Sequence, residues 1–144
     1  MKGSLRGKMP GDDWRQLAGV RGFYLYLLAH PGKKLTFMGT ELAQWHEWDF
    51  AGQLDWYLLE QEDCRRTHEC IRELNRFYRK NRPLWENDSD WNGFEWLVAD
   101  DNRSNVIVFL RRDRAGHELV CAVNFSPGGV GGLPLRRAGG QAVL

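Results

Sequence analysis

"KLTFMGTELAQWHEWDF", Lys34–Phe50, is the stretch on which the fold turns. It opens as a short apolar run, Leu35-Thr36-Phe37-Met38, and breaks at Gly39. The run is too short for a helix, shows no alternation, and lies between Pro31-Gly32 and Gly39. That pattern predicts a strand buried on both faces, as in a parallel sheet. Upstream, "MPGDDWRQ" carries a helix start, with a turn at Pro10-Gly11 and a capping box from Asp13 to Gln16. The helix is expected to run from Asp13 to His30, stopping at Pro31-Gly32. Its apolar residues, among them Trp14, Leu17, Val20, Phe23, Tyr24 and Leu28, cover well over half the circumference. Such a helix is expected to have neighbours on more than one side. Helix, tight turn, buried strand and polar loop make the second half of an α/β unit. In such folds the loops after the strand C-termini carry the site.

Working downstream, a second helix is expected from about Arg65 to Lys80, with Ile71, Leu74 and Phe77 or Tyr78 as its apolar stripe. Pro83 closes that pattern. The period then changes. "GFEWLVADD", "SNVIVFLRRD" and "HELVCAVNFSP" read as consecutive antiparallel strands, the turn before the last ending at Gly116. The change predicts a domain boundary between Pro83 and Asn92. The tail, "GGVGGLPLRRAGGQAVL", reads as a loop plus an unfinished element. One buried parallel strand needs a neighbour on each side, and three antiparallel strands are too few for a sandwich. The expectation is therefore a piece of a larger protein, cut across the junction of an α/β and a β domain.

The composition narrows the partners. Twenty basic and nineteen acidic side chains leave a net charge of +1, which gives no electrostatic reason to expect nucleic acid or an anionic membrane. No apolar run approaches the roughly 20 residues that span a bilayer. "MKGSLRGKMPGDD" has basic residues without an apolar segment behind them, so no signal peptide is expected. Cys64, Cys70 and Cys121 are odd in number and form no C-x-x-C pair, which favours a reducing, cytoplasmic setting and packing roles. Tryptophan is the unusual residue: four of the seven fall between Trp14 and Trp56.

Metal chemistry finds little support. His46-Glu47 begins like H-E-x-x-H, but Phe50 stands where the second histidine belongs. There is no G-x-S-x-G elbow and no glycine-rich phosphate loop, so neither a metal nor a cofactor is expected. What remains is Glu41, Gln44, Trp45, Trp48, Asp55 and Trp56. Indole faces are flat apolar platforms, and neighbouring amides and carboxylates hold hydroxyl groups directionally. That pairing suits a sugar. The same indoles would also serve to pack one domain on another, the more ordinary use of such residues, so residue type leaves both readings open. Glu41, Glu47, Asp49 and Asp55 are glycosidase acids by type, yet nothing in their spacing sets two of them across a scissile bond.

Taken together, "KGSLRGKMPGDDW", "HPGKKLTFMGTELAQWHEW", "QLDWYLLE", "ELNRFYRKN" and "GFEWLVADDNRSNVIVFLRR" resemble the C-terminal part of 1,4-α-glucan (glycogen) branching enzymes of the α-amylase superfamily. The resemblance covers about residues 2–127. It implies α/β plus all-β architecture: the last part of a (β/α)8 (TIM) barrel over residues 1–85, then the start of an antiparallel C-terminal β domain over 86–144. Asp13–His30 would be barrel helix 7, Lys34–Gly39 strand 8, Arg65–Lys80 helix 8, with the loop from Thr40 to Trp56 at the catalytic face. The implied partner is an α-1,4-glucan, with Glu41, Gln44, Trp45, Trp48, Asp55 and Trp56 as substrate contacts. Two departures stand out: Leu42 replaces a usual Phe, and His46 a frequent Arg.

The resemblance assigns no catalytic residue to this chain. In the family the nucleophilic aspartate, the acid/base glutamate and the third aspartate follow earlier strands, the last in a His-Asp-Glu motif shortly before the segment matching Lys2-Gly3-Ser4. The reaction cleaves an α-1,4 linkage and transfers the glucan to a 6-hydroxyl through a covalent intermediate, which needs both nucleophile and acid. The chain alone is expected to be inactive. A related amylase-superfamily hydrolase and a stand-alone glucan-binding module are the alternatives. "QWHEW" with "LDW" favours branching over the former, and a cooperatively folded monomer would favour the latter.

Overall fold

The computed structural model describes residues 3–126. Contacts divide the chain into two units. The first runs to Leu27 and resumes over Lys34–Arg76; the second takes Leu28–Lys33 and the chain from Phe77 onward.

The first unit is helical. A short helix, α1 (Leu5–Lys8), is capped by the Ser4 hydroxyl, which accepts from the Gly7 N–H at 3.0 Å. Then follow α2 (Asp13–Ala29) and, after two 3-10 turns (Thr40–Leu42 and Trp56–Glu60), α3 (Glu62–Lys80). The cap of α2 is Asp12 rather than Asp13: its Oδ1 accepts from the Arg15 N–H at 2.9 Å, and Asp13 is already helical. Two adjacent aspartates make this one-residue shift invisible to pattern reading. The other helix begins at Glu62, three residues ahead of expectation, with Glu62 and Asp63 against the positive end of its dipole.

Leu17, Val20 and Tyr24 of α2 pack with Leu42, Ala43, Leu58, Cys64 and Ile71 to form the core. Each large apolar side chain so buried contributes about 1.5–3 kcal/mol. Along α2, Leu17, Val20, Tyr24, Leu28 and Ala29 are buried, whereas Trp14 is exposed and Phe23 and Leu27 are half-buried.

The predicted strand at Lys34–Gly39 is also corrected. No residue from 34 to 39 pairs into a sheet, and Leu35 is 81% and Phe37 55% exposed. An apolar run becomes a strand only when another strand satisfies its backbone groups, and none among the described residues lies beside it. The segment ends in a turn, the Thr40 N–H donating to Phe37 O at 3.0 Å.

In the second unit, β1 (Phe94–Asp101), β2 (Val106–Arg112) and β3 (Glu118–Asn124) form an antiparallel sheet in the order β1-β2-β3. These are the three strands expected from the sequence. Leu119, Cys121 and Val123 alternate inward along β3, whereas β2, flanked on both sides, is buried nearly throughout. Trp96 pairs with Phe109 across the sheet, and Phe94 and His30 complete a cluster with ring centroids 4.9–6.0 Å apart. The Gly-rich tail lies outside the described residues.

Arg111, fully buried, ties this unit together. Its guanidinium donates to Ala29 O at 2.7 Å, to Gly93 O at 3.2 Å and to the Asp88 carboxylate at 2.5 Å. The Asp88 charge and the two carbonyls together offset the desolvation of a buried cation.

The β2–β3 turn is organised by Asp113. Its carboxylate accepts from the Ala115 N–H (2.9 Å), the His117 N–H (2.8 Å) and His117 Nδ1 (2.8 Å). Gly116, at φ 87°, takes the left-handed position that the turn requires. Burial opposes the Asp113 charge, but the His117 and Ala115 bonds outweigh it and hold the carboxyl below its ordinary value. A carboxyl depressed on folding stabilises above its unfolded value, about 3.9, and that stabilisation is lost as pH falls through the folded value. The urea midpoint of wild type should therefore exceed that of Asp113→Asn at pH 6, and the gap should narrow as pH falls below about 4. A gap that is constant with pH would contradict this account.

Candidate functional site

The Thr40–Trp48 loop is shaped by two left-handed residues, Gly39 (φ 78°) and Ala43 (φ 53°), on either side of its 3-10 turn. The reversal drives Leu42 and Ala43 into the core and leaves Gln44 buried just beneath the surface. Burial fixes the loop, and hydrogen bonds fix its polar side. The Thr40 hydroxyl donates to Phe37 O at 2.5 Å. Its single proton thus committed, it accepts from the Tyr24 hydroxyl, also at 2.5 Å. Burial raises the Tyr24 phenol above its ordinary value, the Thr40 bond offsetting only part of this. Tyr24 therefore stays protonated and acts as a donor.

Phe37, held by this relay, meets Trp48 edge-to-face with ring centroids 5.5 Å apart. Beside them lies a recess of about 350 Å³, lined by Tyr24, Phe37, Thr40, Gln44, Glu47 and Trp48 among others. Of the six residues singled out in the sequence, Gln44 and Trp48 line it; Glu41 and Trp45 lie elsewhere on the same loop, and Asp55 and Trp56 lie beyond it, at the start of the Trp56–Glu60 turn. Trp45 carries the Arg6 guanidinium over its ring at 4.2 Å. Arg6 is itself buried, bonding Ala43 O at 3.3 Å and pairing with Asp13 at 3.5 Å. One indole face is thus occupied by a cation within the chain. Glu41 is half-buried, and its carbonyl lies 3.3 Å from His68 Nδ1. Asp55 Oδ2 lies 3.6 Å from His46 Nδ1, too long for a hydrogen bond. Trp56 is exposed.

Tyr24, Phe37 and Thr40 were missed as site residues because their apolar and β-branched types read as core. Gly39 gave a signal, as a break after the apolar run, but not its purpose. Glu47 is the single carboxylate lining the recess among the described residues. Hydrolysis or transfer by a carboxylate pair needs a second acid across the bond. Aromatic edges, an amide and hydroxyls line the recess together with Lys8 and Glu47, so it offers apolar faces beside hydrogen-bonding groups. Among the described residues no group of three His, Cys, Asp or Glu side chains is placed to hold a metal ion.

Residues 96–133 match the family described as alpha amylase, C-terminal all-beta domain. The match is confined to those residues and supports a likeness to the α-amylase superfamily there. It begins at Trp96 in β1 and takes in β2 and β3, so the antiparallel sheet is consistent with an all-β C-terminal domain. The recess lies upstream of the matched residues, and its reading rests on its own chemistry. No helix among the described residues is long and apolar enough to cross a membrane.

Proposed function

We propose that this chain is part of a 1,4-α-glucan branching enzyme acting in the cytoplasm, with residues 1–85 from its catalytic barrel and 86–144 from its C-terminal β domain. Its role would be to hold α-1,4-glucan in the Gln44–Trp48 recess. The observation that carries this reading is the Phe37–Trp48 pair standing beside a buried amide in one recess. A pyranose ring has an apolar C–H face for the aromatic pair and a rim of hydroxyls for the amide. The linked motifs from "KGSLRGKMPGDDW" to "GFEWLVADDNRSNVIVFLRR" support branching in particular, and the C-terminal family match supports the superfamily. Glu41, Trp45, Asp55 and Trp56 are proposed to extend the glucan contact along the loop. In this reading the chain contributes binding, and the nucleophile and acid come from other strands of the barrel.

Calorimetric titration of the 144-residue chain with maltoheptaose tests the reading. Saturable binding is expected, and Trp48→Ala should weaken it about tenfold, the loss of roughly 1.4 kcal/mol of stacking and burial. Unchanged affinity in Trp48→Ala would place the glucan away from the recess.

A further inference from the structure

Trp14, Leu17 and Arg21 stand three and four residues apart along α2 and so share one face. With Asp63 and Arg66 of α3 they line a recess of about 190 Å³ within the first unit. None of them lines the recess beside Phe37 and Trp48. Two of the charges here are left over. Arg21 is half-buried, yet its guanidinium bonds only the Thr67 hydroxyl, Nη1 donating at 3.0 Å, and no carboxylate among the described residues pairs with it. A cation that has given up hydration ordinarily has an anion beside it. The Asp63 carboxylate, which is exposed, likewise makes no ion pair or hydrogen bond among the described residues. The two do not neutralise each other. Thr67, fully buried, holds the guanidinium, and Asp63 stands four residues earlier on the same helix, roughly 6 Å along its axis. Arg66, by contrast, is already paired with Glu62.

We propose that this recess takes a free aliphatic α-amino acid, with its carboxylate on Arg21, its ammonium on Asp63 and its side chain against Trp14 and Leu17. The charges choose the ligand. A simple anion suits Arg21 but meets Asp63, and a simple cation suits Asp63 but meets Arg21 and Arg66. A zwitterion of short span answers both, and the guanidinium fork matches its carboxylate. Size sets the rest. The volume lies below the roughly 300–1,000 Å³ of pockets for drug-sized ligands, so it excludes a nucleotide or an oligosaccharide and admits an amino acid. Trp14, 66% exposed, and the buried Leu17 supply the apolar contact. The site is independent of the glucan recess.

Titration of the 144-residue chain with L-leucine at low salt, observed at the Trp14 indole N–H resonance, tests the assignment. Saturable shifts with Kd on the order of 1 mM are expected. N-Acetyl-leucine, which lacks the ammonium, and leucinamide, which lacks the carboxylate, should each bind about tenfold more weakly. In Asp63→Asn, leucine and its acetylated form should bind alike; in Arg21→Gln, leucine and leucinamide should. A general loss of stability does not equalise one pair of ligands and spare the other. Equal responses of wild type to the three leucine forms, a stronger response to inorganic phosphate, or no saturable shift at all overturns the proposal and leaves the glucan reading intact. Failure of wild type to bind maltoheptaose overturns the glucan reading alone. The ligand panel on wild type requires no variant to fold.

Discussion

Arg111→Ala is expected to destabilise the second unit by about 3–5 kcal/mol, the typical effect of removing one partner from a buried ion pair. Three acceptors lose their donor at once: Ala29 O, Gly93 O and the Asp88 carboxylate. The side chain is also among the largest that are fully buried, so its removal leaves a void where the guanidinium lay. Urea denaturation, followed by the near-ultraviolet signal of the aromatic cluster, should show the sheet melting early. Arg111→Lys should recover little, because an ammonium on a flexible stem does not match a fork reaching three acceptors. A loss below about 1 kcal/mol, the scale of an exposed ion pair, would mean that the guanidinium is not buried in solution.

Leu42→Ala is expected to cost the first unit about 2–5 kcal/mol. Leu42 is fully buried at the centre of the turn between Gly39 and Ala43, packed with Leu17, Val20, Tyr24 and Leu58. Its removal should do more than lower stability. The turn it anchors also carries Thr40, and leads into Gln44, so the recess should lose its shape before the helices unfold. Hydrogen exchange should therefore speed up at Thr40–Gln44 in this variant under native conditions. Exchange confined to global unfolding would show that the loop is held by something other than this side chain.

The legible part of the fold was the part set by local alternation. β1, β2 and β3 were readable because inward and outward residues alternate along β3 and turn residues separate all three. The α3 stripe was equally plain, its charges filling the face opposite Ile71. Leu35-Thr36-Phe37-Met38 misled because an apolar run records hydrophobicity and not the presence of a partner strand. The two buried arginines were illegible for the opposite reason. Nothing in the sequence marks Arg6 or Arg111 for burial, and only folding brings Trp45 and Ala43 to the first, Ala29 and Asp88 to the second.

Much the same division runs through the candidate site. Gln44 and Trp48 stood out by type and spacing, and both line the recess. Glu41, Trp45, Asp55 and Trp56 shared the same signal, yet the loop carries them away from it. Their neighbours, Arg6 over Trp45 and His68 near the Glu41 carbonyl, come from distant parts of the chain. Sequence proximity on a loop that reverses twice does not fix which way a side chain points.

The central claim is that the recess beside Phe37 and Trp48 is an α-glucan surface. Its most direct test is a pair of titrations of the 144-residue chain, one with maltoheptaose and one with the β-1,4-linked cellohexaose, observed by shifts of the Trp48 indole N–H resonance. Saturable shifts with maltoheptaose and none with cellohexaose are predicted, because the curved α-1,4 chain and the extended β-1,4 chain present different sugar faces to the Phe37–Trp48 pair. Equal response to both sugars, or no response to maltoheptaose, would contradict the claim.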